Sequence, residues 1–370
     1  MELSYWEHKS WLSNIDFTVV GSGIVGLNCA IHLKERFPKS KVLVLEKGIL
    51  PQGASTKNAG FACFGSISEV LSDLQHHSEA EVYGLVKQRW LGIQFLRSLL
   101  GDENIGFHQW GGHEIFLETD RELFEKCQTK LQHTNKLLTP IFGKAPFCST
   151  KNLFSFQNIL PEYITHQFEG QIDTGKMMFS LLELAYQKGI RILNTVEVKA
   201  FEEIGEGVAL QANDFELKTK KLFIATNGFA KSLLGEDVTP ARAQVLITKP
   251  IQKIHMKGTF HFDEGYYYFR NIDNRILFGG GRNLDFKTET TTSFGQTELI
   301  QKELERLLKQ VILPNTSFEI DRRWSGIMGI GKQKKPIVKQ FSDHVYCGVR
   351  LGGMGIAIGS QVGKDLAGLA

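Results

Sequence analysis

The sequence predicts an α/β fold with two interleaved domains. One is a Rossmann-like domain built on a parallel sheet, and the other holds a mostly antiparallel sheet with flanking helices. Three stretches carry this prediction. Residues 16–47 read as a strand, a glycine-rich turn, a helix and a second strand. Residues 266–281 read as an aromatic β-hairpin, and residues 349–359 form a glycine-rich turn that opens the last helix.

The first of these stretches has the pattern of a dinucleotide-binding turn. Phe17–Val20 is a short apolar run, typical of a strand buried in a parallel sheet. Gly21, Gly23 and Gly26 follow in G-x-G-x-x-G order, before apolar residues at helical spacing. Gly21 permits a tight turn, Gly23 lets the backbone approach a pyrophosphate, and Gly26 lets the helix lie close to the strand.

An acidic residue completes this pattern. Glu46 follows the apolar strand Val42–Leu45, about 20 residues beyond the last glycine, where a carboxylate accepts hydrogen bonds from ribose hydroxyls and repels the 2′-phosphate of NADP. Ile24 and Val25, which begin the helix, and Lys47, which follows the acid, are included among the predicted cofactor residues. The alternative is a tight strand–helix turn without a ligand.

The amino-acid composition limits the class of protein to which this chain can belong. The chain has 370 residues, 42% of them apolar and 22% charged, which is typical of a soluble globular protein with room for two cores. A net charge of +3 gives no support for a nucleic-acid partner. Five scattered cysteines without a C-x-x-C pair favour reduced thiols in the cytoplasm and no metal site. The N-terminal stretch is polar, and we expect neither a signal peptide nor a transmembrane segment.

A loop of small residues follows the dinucleotide pattern, and its groups suit close packing on a flat or anionic ligand. It contains Ser55, Thr56, Lys57, Asn58, Ala59 and Gly60. The Ser-x-x-Asn-Ala-Gly pattern soon after the glycine turn resembles the FAD-dependent amine and D-amino-acid oxidoreductases, the family of glycine oxidase, sarcosine oxidase and γ-glutamylputrescine oxidase. The alternative is a loop that only covers the sheet edge.

This resemblance implies a reaction and a domain division. The reaction is oxidation of a C–N bond of an amino acid or amine by hydride transfer to flavin N5, with hydrolysis of the imine and with O₂ or a quinone or carrier as electron acceptor. FAD is expected to be held non-covalently, because the W-x-G segment at Trp324 has no cysteine. The implied FAD-binding domain comprises residues 1–75, 150–235 and 322–370, and the substrate domain comprises residues 76–149 and 236–321.

The resemblance also implies cofactor contacts farther along the chain. Val198 is expected near the adenine, the turn of Thr226, Asn227 and Gly228 beneath the cofactor, and Gly326 where the chain returns to the flavin. The helix N-terminus in the last glycine-rich turn would stabilise negative charge on the reduced ring. The residues implied there are Gly352, Gly353, Met354, Gly355, Ile356 and Ala357.

Substrate contacts are expected from the aromatic hairpin. Alternation along the strand puts Tyr266, Tyr268 and Arg270 on one face. Aromatic rings can wall an amine pocket, and an arginine can hold a carboxylate, so Tyr268, Arg270 and Arg350 are the substrate-binding candidates. The alternative for the strand is core packing, with Arg270 ion-paired outside. His113 is more typical of a packed histidine than of a base.

Two features depart from the family pattern. Glycine oxidase-like members carry a carboxylate-binding arginine where this chain has Met328, and sarcosine oxidase-like members carry a lysine where it has Ala357. Either another cation (Arg350, Arg270 or Lys57) replaces them, or the substrate has no α-carboxylate near the ring. Residues 266–286 also lack the lysine that activates O₂ in some members, so oxidase and dehydrogenase both stay open. Rival functions are a flavin oxidase acting on a modified tRNA base and a non-catalytic FAD-binding redox or partner protein.

Overall fold

The computed structural model describes residues 2–213 and 215–370. The α-helices in this part of the chain are α1 (Tyr5–Glu7), α2 (Ile24–Arg36), α3 (Ala54–Lys57), α4 (Ile67–His76), α5 (Glu79–Leu100), α6 (Asp102–Ile105), α7 (Arg121–Phe142), α8 (Thr174–Gln187), α9 (Lys231–Leu234), α10 (Glu298–Leu307) and α11 (Gly355–Gly368). Short π-helical segments follow α1 and α10, at His8–Leu12 and Leu308–Ile312. Short 3₁₀ segments lie at Glu118–Asp120, Asn227–Phe229 and Arg282–Leu284.

The strands alternate with these helices along most of the chain. They are β1 (Ile15–Val20), β2 (Val42–Leu45), β3 (Phe61–Ala62), β4 (Gly112–Glu114), β5 (Phe147–Lys151), β6 (Glu162–His166), β7 (Gly170–Gln171), β8 (Arg191–Leu193), β9 (Val198–Ile204), β10 (Gly207–Ala212), β11 (Glu216–Ile224), β12 (Thr239–Thr248), β13 (Thr259–Phe262), β14 (Tyr267–Ile272), β15 (Arg275–Gly280), β16 (Ile320–Ile330), β17 (Ile337–Gln340) and β18 (Val345–Val349).

The first large sheet confirms the predicted parallel core. Its strand order is β17-β18-β11-β1-β2-β8, and β9 and β10 extend it from β11. Strand β1 pairs in parallel with both β11 and β2, with Val19 opposite Phe223 on one side and Val44 on the other. All four residues of β2 are buried, because helices and loops cover both faces of a parallel sheet.

The second large sheet confirms the predicted, mostly antiparallel partner. Its order is β16-β12-β15-β14-β13-β4-β6-β5, and of its pairs β13–β4 is parallel. Strands β14 and β15 form the predicted hairpin, and Asp273 and Asn274 make its turn with φ of 49° and 57°. Both residues tolerate this left-handed conformation better than most. Tyr267 and Phe269 point into a core that is closed by α10.

Strand membership differs from the predicted domain division at two places. The predicted division puts strand β6 in the FAD-binding segment 150–235 and most of β16 in the FAD-binding segment 322–370. Both strands belong to the antiparallel sheet, because β6 pairs with β4 and β16 pairs along the length of β12. The boundaries themselves stay a prediction.

The residue types at the ends of α4, α5 and α8 explain where these helices begin or end. Ser66 and Ser78 each begin a helix with a capping box, and α5 ends at Leu100 before Gly101, which has φ of +84°. Asp173 caps α8, accepting a hydrogen bond from the Lys176 amide at 2.9 Å. In the part of the chain that the structure describes, no helix has the length and apolarity needed to cross a bilayer.

Candidate active site

The N-terminal glycine turn is shaped by backbone contacts that exclude side chains. A Cβ on Gly26 would lie 1.8 Å from the Gly21 carbonyl oxygen, so α2 could not approach β1 with any larger residue there. Gly21 has φ of +102°, and a Cβ on it would lie 2.9 Å from the Ala225 carbonyl oxygen. The first turn of α2, which begins after Gly23, therefore presents backbone N–H groups at the end of the parallel sheet.

Glu46 lies beside this turn at the end of β2, with 5% of its surface exposed. One carboxylate oxygen accepts hydrogen bonds from the Ser22 amide at 3.1 Å and from the Ser22 hydroxyl at 2.7 Å. The other accepts from the Gly48 amide at 2.9 Å. These donors fix the carboxylate at the position where the sequence predicts a ribose contact.

The loop of small residues after β2 is tied to the glycine turn and to the neighbouring sheet. The Ser55 hydroxyl accepts a hydrogen bond from the Ile24 amide at 2.9 Å. The Asn58 amide group donates to the Ala54 and Ser55 carbonyls and accepts from the Gly60 amide. The loop is thus a fixed surface next to the N-terminus of α2.

The two ends of the chain meet at this place. A Cβ on Gly363 in α11 would lie 2.5 Å from the Val25 carbonyl oxygen, so α11 packs directly on α2. The Asn227 side-chain oxygen accepts from the amides of Arg350 and Leu351, at 3.1 and 3.2 Å, and fixes the glycine-rich turn before α11. The predicted opening and closing turns are therefore neighbours.

These segments line one cavity of about 690 Å³, which extends from the glycine turn to the face of the antiparallel sheet. Most of the predicted cofactor residues lie on its wall: Gly21, Gly23, Ile24, Val25, Glu46, Lys47, Ser55, Lys57, Asn58, Ala59, Val198, Thr226, Asn227, Gly228, Gly326, Gly352, Gly353, Met354, Gly355 and Ile356. Four others lie behind the wall: Gly26, Thr56, Gly60 and Ala357. Gly26 acts through close packing, and the Thr56 hydroxyl donates to the Pro51 carbonyl.

The cavity fits FAD on these observations. Its volume lies within the range of about 300–1,000 Å³ for ligand pockets. It combines a helix N-terminus for a diphosphate, a fixed carboxylate for a ribose and a wider apolar part for a ring. The glycine turn leaves no room for side chains between the backbone and such a ligand.

The three predicted substrate residues are placed differently. Tyr268 lines the cavity, where its ring packs edge-on against Phe61 at 5.7 Å and burial raises its pKa to about 12. Arg270 is 2% exposed and lies behind the wall, close to Gly60, and burial lowers its pKa to about 10. Arg350 also lies off the wall, because its guanidinium pairs with Asp237 at 3.0 Å and donates to the Lys335 carbonyl. The structure therefore brings only Tyr268 of these three to the cavity.

Met328 lies on the cavity wall, whereas Ala357 lies behind it. His113 is a packed histidine: its ring lies against Phe260 and Tyr163 and is hydrogen-bonded to Thr165 at 2.9 Å. Burial lowers its pKa to about 4.

A histidine on the cavity wall was not among the residues predicted from the sequence. His261 on β13 lies 3.7 Å from the buried carboxylate of Glu169, which also accepts from the amides of Phe64 and Gly65. Burial alone would lower the pKa of His261, but Glu169 outweighs it and raises that pKa. For Glu169, burial is likewise outweighed by His261 and His166, and its pKa lies well below the usual range. A histidine paired with a buried carboxylate therefore faces the cavity beside Phe61 and Tyr268.

Arg282, Glu69 and Glu264 also line the cavity and were not predicted. Arg282 directly follows the run Gly279–Gly281, which is the one signal that could have drawn attention to it. His261 and Glu169 come from separate strands and loops, and nothing in their local sequence marks them.

A dinucleotide-binding turn, a second glycine-rich turn from the other chain end and a cavity shared with an antiparallel sheet define an FAD-binding flavoprotein. The chain belongs to the DAO family of FAD dependent oxidoreductases, which matches residues 16–369. The predictions of family, fold class and FAD as cofactor are thereby confirmed.

Known relatives are distant in sequence. The probable oxidoreductase OrdL of Haemophilus influenzae is 19% identical, over 96% of this chain and 83% of that protein. L-proline dehydrogenase from P. horikoshii has a similar structure, with a TM-score of 0.75, 18% identity and coverage of 96% of this chain and 92% of that one. Glycine oxidase from Geobacillus kaustophilus has a TM-score of 0.74 and 19% identity, covering 95% and 94% of the two chains. At such identities the structural similarity supports the shared fold.

Proposed function

We propose that this chain oxidises a C–N bond of a small amino acid or amine, with FAD as the electron acceptor in the first half-reaction. The observation that carries the proposal is the shared cavity: the wall that suits FAD continues into an apolar and aromatic wall with Phe61, Tyr268 and Val245. Proteins of similar structure include an iminodiacetate oxidase and an L-amino acid deaminase, whose names indicate amino-acid substrates.

When bound between the two glycine-rich turns, FAD would supply a two-electron acceptor for the hydride that the substrate α-carbon loses. Loss of that hydride from a neutral amine, followed by loss of the N–H proton, leaves an imine. Water then converts the imine to a carbonyl compound and ammonia or a smaller amine.

The chain's own residues contribute position and charge to this reaction. Tyr268 stays a neutral phenol at physiological pH, because its pKa is raised to about 12, so it can donate a hydrogen bond to the substrate. His261 lies on the same wall, and because Glu169 raises its pKa the ring takes up a proton more readily than a free imidazole; when protonated, it favours a neutral amine over an ammonium ion. The aromatic side chains exclude water from the reacting atoms.

The electron acceptor of the second half-reaction belongs to the same proposal. O₂ and a quinone or carrier protein both stay open as acceptors, because residues 266–286 lack the lysine that activates O₂ in some members of the family. The rate at which the reduced protein reoxidises in air distinguishes them: seconds or less indicates an oxidase, and minutes indicates a dehydrogenase.

We also propose a cytoplasmic location. Its support is that Cys29, Cys63, Cys127, Cys148 and Cys347 are all free thiols, as is usual in a reducing compartment. Fractionation of cells of the source organism, with the flavin band as marker, tests this proposal.

Anaerobic flavin photometry tests the reaction. The holoprotein is mixed with D-amino acids, N-methyl amino acids and polyamines, and the yellow flavin band is followed. Bleaching by one of these classes, with stoichiometric appearance of a carbonyl product, is the expected result. A yellow protein that none of them bleaches would instead be a non-catalytic FAD-binding protein, and the proposal would then be wrong.

A further inference from the structure

Arg282 stands at the cavity because of the glycines before it. Gly280 and Gly281 have φ of +132° and +75°, and a Cβ on Gly280 would lie 2.1 Å from the Tyr266 carbonyl oxygen. The chain therefore leaves β15 in a turn that only glycine allows, and Arg282 begins the short 3₁₀ segment that follows. This turn carries the Arg282 side chain onto the cavity wall.

The guanidinium of Arg282 stacks on an aromatic ring and has no polar partner within residues 2–213 and 215–370. It lies over the ring of Phe286, with 4.7 Å from Cζ to the ring centroid, and Phe286 packs edge-on against Tyr266 at 5.9 Å. Among the residues that the structure describes, it has no hydrogen-bond or ion-pair partner. Burial lowers its pKa, opposed in part by Tyr266 and Glu289, so no carboxylate neutralises it closely.

The nearby acids are committed elsewhere. Glu289 is fully buried and accepts two hydrogen bonds from Arg242, both at 2.8 Å. Asp285 accepts from the Thr288 amide at 3.0 Å, and Asp263 accepts from Asn283 at 2.9 Å. A half-buried arginine stacked on an aromatic ring, with free donors in a ligand cavity, is the arrangement that binds a planar anion bidentately.

We propose that Arg282 binds the carboxylate of the substrate, which makes the substrate class amino acids rather than simple amines. This inference rests on the proposed function. The inference accounts for Met328 on the cavity wall. The family pattern has a cation at that position, and in this chain Arg282, which follows β15, takes its place.

Other charged residues of the cavity are weaker candidates. Lys57 lines it too, but its ammonium is a point charge, with its Nζ 6.0 Å from the Phe294 ring centroid. Glu69 accepts a hydrogen bond from the Ser66 amide at 2.9 Å and is committed to capping α4. Glu264 is exposed at the rim, where it could bind a second ammonium group of a diamine. Binding of the carboxylate by Lys57 and binding of a diamine by Glu264 are therefore the competing outcomes of the test.

Ligand binding to the holoprotein tests Arg282 without turnover. Benzoate and its uncharged analogue benzamide are titrated while the flavin spectrum is recorded. The proteins are the wild type, Arg282→Met, Arg282→Lys, Lys57→Met and, as control, Arg322→Met, which removes an exposed arginine on β16.

The expected result is a selective loss. Arg282→Met weakens benzoate by about 10- to 100-fold, as expected when a charge-assisted hydrogen-bonded pair is removed, and leaves benzamide unchanged. Arg282→Lys restores part of the affinity, Arg322→Met matches the wild type, and Lys57→Met does not weaken benzoate selectively relative to benzamide. With an oxidised amino acid, Arg282→Met raises KM far more than it lowers kcat.

Three results would overturn the inference. They are wild-type benzoate affinity in Arg282→Met, selective loss in Lys57→Met instead, and no preference for benzoate over benzamide in the wild type. Oxidation of diamines that depends on Glu264 and not on Arg282 would also overturn it while leaving the proposed function intact. Failure of every amine to bleach the flavin overturns the proposed function, whereas the benzoate titration still decides whether Arg282 binds a carboxylate.

Discussion

The two ends of the cavity are built in different ways. The end that suits the nucleotide is formed mainly by backbone: glycines, helix N-termini and one fixed carboxylate, Glu46. The end that suits the substrate is formed by side chains from separate segments, among them Phe61, Tyr268 and His261. Backbone constraints are local and tolerate few residue types, whereas a wall of side chains can change its chemistry one residue at a time.

The largest expected effect is at the backbone end. Gly26→Ala places a methyl group 1.8 Å from a backbone oxygen, and neither β1 nor α2 can move without opening the sheet core. We expect a loss of about 4 kcal/mol or more in the free energy of unfolding, together with loss of bound FAD. Thermal unfolding and the ratio of flavin to protein absorbance measure both.

The matched control is Gly84→Ala in α5. A Cβ there meets nothing within 4 Å, so the substitution should stabilise the helix by about 0.5–1 kcal/mol and leave the flavin content unchanged. If Gly26→Ala and Gly84→Ala have the same unfolding free energy and the same flavin content, the nucleotide end of the cavity is not specially constrained by its backbone. The contrast drawn between the two ends of the cavity would then be wrong.

The sequence predicted the backbone end far better than the side-chain end, for a physical reason. The G-x-G-x-x-G spacing, the acid after β2 and the Asp-Asn hairpin turn each depend on neighbouring residues and are visible locally. Alternation correctly put Tyr268 on the cavity face, but Arg270 lies farther along the same strand, behind Gly60.

The histidine–carboxylate pair His261–Glu169 could not be predicted, because its two members come from segments that are far apart in the sequence. His261 reaches Glu169 through the parallel pairing of β13 with β4, which are separated by more than a hundred residues along the chain. The ion pair of Arg350 could not be predicted for a similar reason: its partner Asp237 precedes β12 and is adjacent only in the fold.

The next largest effect on stability is expected at the His261–Glu169 pair. Glu169→Gln removes the carboxylate that raises the pKa of His261, so that pKa should fall below 6.5 under the influence of burial. Breaking a buried ion pair of this kind costs about 3–5 kcal/mol near neutral pH. Urea unfolding at several pH values measures it.

The pH dependence has a defined sign. The pKa of Glu169 is lowered from 4.5, so its contribution is present above pH 4.5 and is lost as the pH falls below that value. The pKa of His261 is raised from 6.5, so its contribution is present below pH 6.5 and is lost as the pH rises through the raised pKa. The stability gap between the wild type and Glu169→Gln should therefore be widest between pH 4.5 and 6.5. A gap independent of pH would contradict the assignment of an ion pair.

An intermediate effect is expected for the carboxylate of the nucleotide end. In Glu46→Gln, a side-chain amide nitrogen must face either the Ser22 donors or the Gly48 amide, so one hydrogen bond is lost and the ribose acceptor is weakened. We expect FAD to bind about 10- to 100-fold more weakly, and the free energy of unfolding of the apoprotein to fall by about 1–3 kcal/mol because a buried donor is left unpaired. Titration of the apoprotein with FAD measures the Kd, and Glu206→Gln at an exposed turn is the control.

The smallest effect is expected for Tyr268→Phe. The ring keeps its edge-on contact with Phe61, and only the neutral phenol is lost from the cavity wall. A single hydrogen bond from a neutral group contributes about 0.5–1.5 kcal/mol, so substrate KM should rise by about two- to tenfold while FAD content stays at the wild-type level. Stopped-flow reduction of the flavin over a range of substrate concentrations separates binding from hydride transfer. A fall of several orders of magnitude in the reduction rate would mean that the phenol takes part in proton transfer, and the side-chain end would then carry chemistry as well as selectivity.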